Sequence, residues 1–178
     1  MLFRSKVLQD RHSPPALQDD TEQSLRDTEA LIQRWHRRGR LRYAITPRFA
    51  PTSTERQLAG ASELARAHPD VTVQSHVAEN HSEIEWVRTL FPHDRSYLSV
   101  YDRFGLVRPH SLWGHCIHLD ADDRALLAER GAVAAVCPTS NLFLGSGLFN
   151  FAAAHHAWAL ANDIGGGSSF SPFRTMMR

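Results

Sequence analysis

The fold is decided by a stretch in the middle of the chain, residues 71–91, which reads VTVQSHVAENHSEIEWVRTLF. Its first part, Val71–His76, is rich in β-branched residues and predicts a strand. In its second part Ser82 is followed three residues later by Glu85, the pattern of a capping box at the start of a helix. Apolar residues then recur at helical spacing, at Ile84, Val87, Leu90 and Phe91. We therefore predict one strand–helix unit here.

The same unit recurs along most of the chain. Four further strands are predicted, at Leu41–Thr46, Ser111–His115, Ala132–Cys137 and near Ala157–Ala161. Two helices follow such strands, one opened by Thr54 in a capping box with Gln57, the other Asp120–Arg130, closed by Gly131. Strands that alternate with helices form a parallel sheet, which is either a (β/α) barrel or an open doubly wound sheet.

The first forty residues differ from this repeat. They contain one helical pattern, Thr21–His36, so residues 1–40 are predicted as a helical lead-in to the strand–helix repeats of residues 41–178. Arginines cluster around Trp35 and could suggest a nucleic-acid patch, but cations are also favourable at the C-terminal end of a helix. We interpret the cluster as a solvated helix end. The length of 178 residues is expected to form a single domain.

Composition excludes several classes of protein. The net charge of +1 offers no electrostatic case for binding nucleic acid or a membrane surface. The longest apolar run, Ala132–Cys137, is far shorter than the ~20 residues of a membrane-spanning helix. Cys116 and Cys137 are too few for a disulfide framework, which favours a reducing compartment. The 11 histidines stand out, so their positions matter.

Reactive side chains stand where the predicted strands end. Following the strands in chain order, they are Arg48 with Phe49, His76, His115, the segment Cys137–Asn141, and Asp163. Because the carboxyl ends of parallel strands meet on one face of the sheet, these residues are expected to converge. His118, three residues after His115, is expected to be exposed.

The residue types at these ends suit metal-assisted chemistry. Histidine and aspartate are ligands of zinc, and Glu79, in the turn after His76, suits proton transfer. Arg48 offers a planar fork to a substrate with adjacent acceptors, such as guanine. Taken singly, each has a structural alternative: a satisfied histidine, a turn aspartate or a surface arginine. A serine triad is disfavoured because no G-x-S-x-G occurs, and a P-C-x-x-C zinc motif is excluded because the two cysteines lie 21 positions apart.

Four segments together resemble one family. They are Ile45–Thr52 (ITPRFAPT), Gln74–Asn80 (QSHVAEN), Cys137–Gly147 (CPTSNLFLGSG) and Asp163–Phe170 (DIGGGSSF). In combination they are similar to the guanine deaminases, in the amidohydrolase superfamily, over nearly the whole chain. The resemblance implies a partial TIM-like (β/α) barrel of the metal-dependent hydrolase type, with about five of its eight strands.

The resemblance also implies roles for individual residues. His76 and Asp163 would be zinc ligands, with Asp163 also accepting a proton. Glu79 would carry protons to the purine ring, and His115 would hydrogen-bond the metal-bound water or the substrate. Arg48 and Phe49 would hold guanine, with His76 and Glu79 also in the substrate site. The activity implied for the parent family is zinc-dependent hydrolysis of guanine to xanthine and ammonia, in a cytoplasmic enzyme that could be a homodimer; whether the isolated chain retains this activity is left open.

One departure from the family pattern keeps other functions open. The family has an H-x-H pair on its first barrel strand that supplies two zinc ligands, and no H-x-H occurs in these 178 residues. The family's N-terminal metal-binding strand is thus expected to be missing. A non-catalytic fragment or remnant of a deaminase is one alternative, and a deaminase of another purine or a pterin is another.

Overall fold

A single parallel sheet organises the chain. The computed structural model describes residues 2–177. The described residues form seven strand segments: β1 (Leu2–Arg4), β2 (Val7–Leu8), β3 (Leu41–Pro47), β4 (Thr72–Val77), β5 (Leu112–His115), β6 (Val133–Val136) and β7 (Ala157–Leu160). They occupy six positions in the sheet, because β1 and β2 both pair with β3; the order then continues through β4, β5 and β6 to β7, and every neighbouring pair is parallel. Within the described residues the sheet does not close on itself.

The five strands predicted from sequence are all present, each within one or two residues of its predicted bounds. The prediction missed the N-terminal pair: β1 and β2 pair with successive parts of β3, so residues 1–40 contribute a sixth strand position as well as a helix. Segments of three and two residues are too short to show the alternation that marks a strand in a sequence.

Helices connect the strands. They are α1 (Thr21–Trp35), α2 (Glu55–Ala67), α3 (His81–Leu90), α4 (Tyr97–Arg103), α5 (Ala121–Arg130), α6 (Pro138–Leu144) and α7 (Pro172–Met176), with short 3-10 turns at Ala50–Thr52 and Phe151–Ala153. None of the helices in residues 2–177 is long and apolar enough to cross a membrane.

The start of α3 differs from the prediction. Its N-cap is Asn80 rather than Ser82, because the Asn80 side chain accepts the backbone N–H of Glu83 at 2.9 Å. Ser82 lies in the first turn and donates its hydroxyl to Asn80 Oδ1 at 2.6 Å. The amide oxygen of asparagine caps as well as a serine hydroxyl does, and the helix therefore begins two residues earlier. The shift places Glu83, not Glu85, where it can reach back toward Glu79.

The core lies between the sheet and its helices. Trp113 of β5 is fully buried, its ring centroid is 4.6 Å from that of Tyr101, and its indole N–H donates to Ser111 Oγ at 2.8 Å. Helices α1 and α2 pack closely because Gly60 has no side chain: a Cβ there would lie 2.2 Å from Leu25 Cδ1. Buried side chains of this kind each contribute about 1.5–3 kcal/mol to stability.

The opposite edge of the sheet is open. All four residues of β7 are exposed, among them Trp158 and Leu160 at 46% and 41%. Residues 142–177 carry further exposed apolar side chains. An exposed, apolar edge strand can pair with another chain.

Candidate active site

A cavity of about 630 Å³ opens at the carboxyl ends of the strands. Five residues that the sequence placed at these ends line the cavity, Arg48, Phe49, His76, His115 and Asp163, together with Glu79 from the turn after His76. The segment Cys137–Asn141, also expected there, is not part of the cavity wall. Residues up to 115 positions apart in sequence, Arg48 and Asp163, thus share one wall. Trp86 and Glu83 of α3 also line it and were not singled out from the sequence.

The backbone fixes the tautomer of His76, which lies near the end of β4. Its Nδ1 is 2.6 Å from the main-chain oxygen of Arg48. A carbonyl oxygen can only accept, so Nδ1 carries a proton, and in the neutral imidazole the lone pair is on Nε2. A histidine held in this way is oriented as metal ligands usually are. The Arg48 carbonyl also accepts from Ser75 Oγ at 3.2 Å, which fixes its position.

His115 ends β5 and is 1% exposed. Its Nδ1 is 2.9 Å from Asn141 Oδ1, so Nδ1–H donates to the amide oxygen and Nε2 is the nitrogen that faces the cavity. Nε2 lies 3.5 Å from Glu79 Oε2 and 3.9 Å from Asp163 Oδ2. His115 therefore sits between two carboxylates.

Strained backbone occurs at four residues in or next to the cavity wall, and also at His12, Arg37 and His110 elsewhere in the described chain. The φ angles of Ala78, His115, Cys116 and Asp163 are all positive, between 47° and 68°. This region costs residues other than glycine roughly 1–2 kcal/mol each, so it persists only where the surrounding structure enforces it. The positive φ of Cys116 is stabilised by its N–H, which donates to Val77 O at 3.1 Å. Such strain is typical of functional sites.

Asp163 follows β7 and is held by a serine. Ser140 Oγ donates to Asp163 Oδ2 at 2.6 Å. A Cβ on Gly166 would lie 2.7 Å from both of these oxygens, so this position requires glycine. The chain turns at this point, with the Gly167 N–H donating to the main-chain oxygen of Asp163. Gly166 makes room for the Ser140–Asp163 pair.

Glu79 is held at its backbone and at its side chain. Its N–H donates to Glu83 Oε2 at 3.1 Å, and its Oε1 accepts from Ser146 Oγ at 2.9 Å. Glu83 also accepts from the Tyr97 hydroxyl at 2.6 Å. Burial raises the pKa of Glu83, while its hydrogen bond to Tyr97 acts in the opposite direction.

The rim of the cavity is aromatic and cationic. The guanidinium carbon of Arg48 lies 4.8 Å from the centroid of the Phe49 ring, and Phe49 meets Trp86 edge-on at 6.2 Å. Tyr101 supports this rim from within the core, because its hydroxyl accepts the N–H of Ala50 at 2.8 Å. The arrangement presents an aromatic face and a planar cation side by side.

Sequence reasoning missed the residues that hold the reactive ones. Ser140, Asn141 and Ser146 come from one segment, and they contact Asp163, His115 and Glu79 respectively. The segment was noticed as a motif, but its serines and asparagine carried no assigned role. The prediction that His118 is exposed is wrong, because it is only partly accessible and its Nε2 lies 2.9 Å from Ser146 O.

The donor atoms at the centre fit a metal ion. His76, His115 and Asp163 each offer one ligand atom, and these atoms all lie within 4.8 Å of one another. Two imidazoles and a carboxylate are a donor set that suits zinc or another divalent first-row metal with open coordination positions. The cysteines take no part: both are buried, and burial raises the pKa of Cys137 to about 12.

Comparison with known sequences agrees with this site. A sequence profile of the amidohydrolase family matches residues 4–178. The guanine deaminase of Escherichia coli is 43% identical over 181 residues, which cover 98% of this chain and 40% of that protein. A probable guanine deaminase of Deinococcus radiodurans is 44% identical over 170 residues, 93% of this chain and 38% of that protein. The chain thus spans about 40% of the length of these curated relatives.

Solved structures of guanine deaminases are also similar to this chain. The structure of E. coli guanine deaminase superposes with a TM-score of 0.96 at 44% identity, covering 98% of this chain and 41% of that one. A guanine deaminase from C. acetobutylicum, solved with guanine bound in its active site, gives 0.93 at 32% identity, covering 97% and 42%. A triazine hydrolase at 15% identity and a TM-score of 0.81 shares the fold alone. These likenesses confirm the predicted partial TIM-like barrel and reject the doubly wound alternative. Because the family profile matches nearly the whole length of this chain, the chain belongs to the amidohydrolase family.

Proposed function

We propose that this chain carries the site of a zinc-dependent guanine deaminase, which hydrolyses guanine to xanthine and ammonia. The observation that carries the proposal is the convergence of His76, His115, Glu79 and Asp163 beneath the rim formed by Arg48 and Phe49. The relatives that are named guanine deaminases support the choice of substrate.

His76 and Asp163 are the proposed metal ligands. Nε2 of His76 keeps a lone pair because Nδ1 is committed to the Arg48 carbonyl, and Asp163 is positioned by Ser140. His115 is close enough to supply a third donor atom or to hydrogen-bond water beside the metal. When bound, zinc supplies Lewis-acid chemistry that makes water a nucleophile near neutral pH.

The carboxylates move the protons of the proposed reaction. Water adds to the amino-bearing carbon of guanine, and Asp163 takes the proton that the water loses. Glu79, with Oε2 3.5 Å from His115, delivers a proton to the ring nitrogen of the purine. Asp163 passes the proton it took from water to the amino group, which leaves as ammonia, and the new hydroxyl returns a proton to Glu79 as the carbonyl forms. His115 Nε2 lies between the two carboxylates and accepts a hydrogen bond from the water. Water is consumed, ammonia is released and the product is xanthine, so atoms balance.

Arg48 and Phe49 provide the proposed specificity. Guanine presents a carbonyl oxygen and a neighbouring ring nitrogen, two acceptors that match the arginine fork. Adenine presents an amino donor in place of that oxygen, and an arginine cannot accept from it. Phe49, half-buried beside Arg48, offers a face for ring contact.

The remaining parts of the proposal concern the protein's surroundings. A homodimer and a cytoplasmic location follow from the family resemblance. The low net charge gives no support for nucleic-acid or membrane partners. The exposed edge strand β7 offers a surface through which copies could pair.

A second candidate is a non-catalytic chain that binds without turnover. It is favoured by the absence of H-x-H in these 178 residues, because the two ligands that the resemblance assigns to that pair are then missing and only His76 and Asp163 remain of its zinc ligands, whereas catalytic zinc sites usually have three protein ligands. A deaminase of another purine or a pterin is a third candidate; the arginine fork disfavours adenine, which has an amino donor in place of the oxygen, but does not distinguish a pterin from guanine.

One experiment separates these candidates. The purified chain is loaded with one equivalent of zinc, its metal content is measured by elemental analysis, and it is incubated with guanine, adenine, a pterin or a triazine. We expect stoichiometric zinc and xanthine formed from guanine, both lost in His76→Ala. Zinc and guanine binding without xanthine supports the second candidate. Turnover of another substrate with none of guanine refutes the substrate assignment.

A further inference from the structure

The loop Gly145–Gly147, just after α6, contacts the proposed proton carrier directly. Ser146 at its centre donates to Glu79 Oε1 at 2.9 Å, although the two residues are 67 positions apart. The other carboxylate oxygen, Oε2, lies 3.5 Å from His115 Nε2. The serine thus occupies one oxygen of Glu79 and leaves the other toward the reacting groups.

Two glycines give this loop its path. Gly145 has a φ of 70° and ends α6 in the left-handed conformation that helix C-termini favour. Gly147 has a φ of 130°, and a Cβ there would lie 3.1 Å from Ile117 Cγ2 and 3.3 Å from His118 Cε1. Only glycine lets the backbone come this close to His118.

His118 fixes the loop from the other side. Its Nε2 lies 2.9 Å from the carbonyl oxygen of Ser146, and because a carbonyl accepts, Nε2 carries the proton. The His118 ring is packed against that of His81, with centroids 4.0 Å apart. His118 therefore holds the backbone of Ser146, the residue whose hydroxyl donates to Glu79.

The backbone hydrogen bond of Glu79 does not fix the orientation of its carboxylate. Glu83 accepts the Glu79 N–H and so fixes the main chain, but a glutamate side chain has three rotatable bonds beyond it. Within the described residues, the Glu79 carboxylate accepts one hydrogen bond, from Ser146 Oγ. Removing that bond frees the carboxylate to rotate without moving the helix.

We propose that Ser146 is a positioning residue that aims the Glu79 carboxylate at the reacting groups, with His118 holding Ser146 in place. The inference rests on the proposed deaminase function, in which Glu79 delivers a proton. Ser146 itself acts only through Glu79. The net contribution of one hydrogen bond corresponds to as much as about tenfold in rate, so its loss is measurable.

Kinetics provide the first test. In Ser146→Ala we expect kcat for guanine to fall about tenfold with KM within roughly twofold, because binding is unchanged and alignment is lost. Ser146→Thr, which keeps the hydroxyl, should restore most of kcat. Thr89→Ala is the matched control, since that exposed hydroxyl bonds only within α3, to Trp86 O, and no change is expected. In a Glu79→Gln background, adding Ser146→Ala should cost nothing further; an undiminished additional loss contradicts the proposal.

Crystal structures provide a second test that does not need turnover. With wild type, Ser146→Ala and Ser146→Thr compared, we expect the Glu79 carboxylate to be displaced or in two conformers only in the alanine variant. An unmoved carboxylate in Ser146→Ala overturns the proposal. A wild-type chain that forms no xanthine refutes the deaminase function instead, and the crystallographic outcome still decides what Ser146 does.

Discussion

Replacing Gly166 by alanine tests how the candidate metal ligand Asp163 is held. The backbone at Gly166 is not in the left-handed region, so the effect of the new methyl group is steric. Its Cβ would lie 2.7 Å from Asp163 Oδ2 and 2.7 Å from Ser140 Oγ, whereas ordinary contact begins at 3.4 Å. The two oxygens must each retreat by about 0.7 Å, the difference of those distances, or the loop must shift.

The size of the effect follows from that displacement. A ligand atom moved by this amount is far outside the ~0.2 Å tolerance of metal–ligand distances. The 2.6 Å bond from Ser140 to the carboxylate is strained or lost as well, and hydrogen bonds to charged groups contribute about 1.5–3 kcal/mol. At roughly 1.4 kcal/mol per tenfold, we expect zinc affinity to fall about 10- to 100-fold.

The assay is a zinc titration with a competing chromophoric chelator, accompanied by thermal unfolding of the metal-free chain. Gly114→Ala is the matched control: its Cβ would lie 3.5 Å from Ser75 O, an ordinary contact, although the residue is next to His115. We expect the control to bind zinc like wild type. Wild-type affinity in Gly166→Ala would refute the reasoning, because Asp163 would then not depend on this cradle.

Three further predictions concern the rim, the buried acid and the sheet edge. Arg48→Ala should lower kcat/KM for guanine about 10- to 100-fold, since a bidentate arginine contact contributes about 1–3 kcal/mol to base recognition, and steady-state xanthine formation measures it. Burial raises the pKa of Glu83 above its usual range, so the Glu83 carboxyl binds a proton more tightly in the folded chain than in the unfolded chain. The free energy of unfolding therefore contains a stabilising contribution from this protonation at low pH, which is lost as pH rises through the raised pKa. Urea unfolding between pH 4 and 8 should therefore show wild type losing stability relative to Glu83→Gln as pH rises. Trp158→Glu on β7 should weaken self-association in sedimentation velocity, because it places a charge on an exposed apolar edge strand.

Each of these has an opposing outcome. Unchanged guanine turnover in Arg48→Ala would remove the arginine from the substrate site, and Arg48→Lys should not rescue it, because lysine lacks the planar fork. Parallel pH profiles for wild type and Glu83→Gln would show that Glu83 does not titrate differently on folding. Equal association of Trp158→Glu and wild type would exclude β7 as the contact.

Local sequence patterns were sufficient for the repeating part of the fold. Val71–His76 and the turns around it carry β-branched residues and capping side chains whose effects act within a few residues. The same patterns failed at β1 and β2, which are strands only because β3 provides a partner for their main-chain groups. They also misplaced the cap of α3, where two neighbouring polar residues, Asn80 and Ser82, compete for one role.

The candidate site divides in the same way. Sequence alone determined which reactive residues stand at strand ends, because parallel strands all present their carboxyl ends to one face. Only the tertiary structure decided how those residues are oriented. The contacts of Ser140, Asn141 and Ser146 with Asp163, His115 and Glu79 span 23, 26 and 67 positions, and no local pattern encodes hydrogen bonds over such separations. Hydrogen bonds form between side chains that the fold brings within about 3 Å, and that proximity exists only after the strands have been assembled into a sheet.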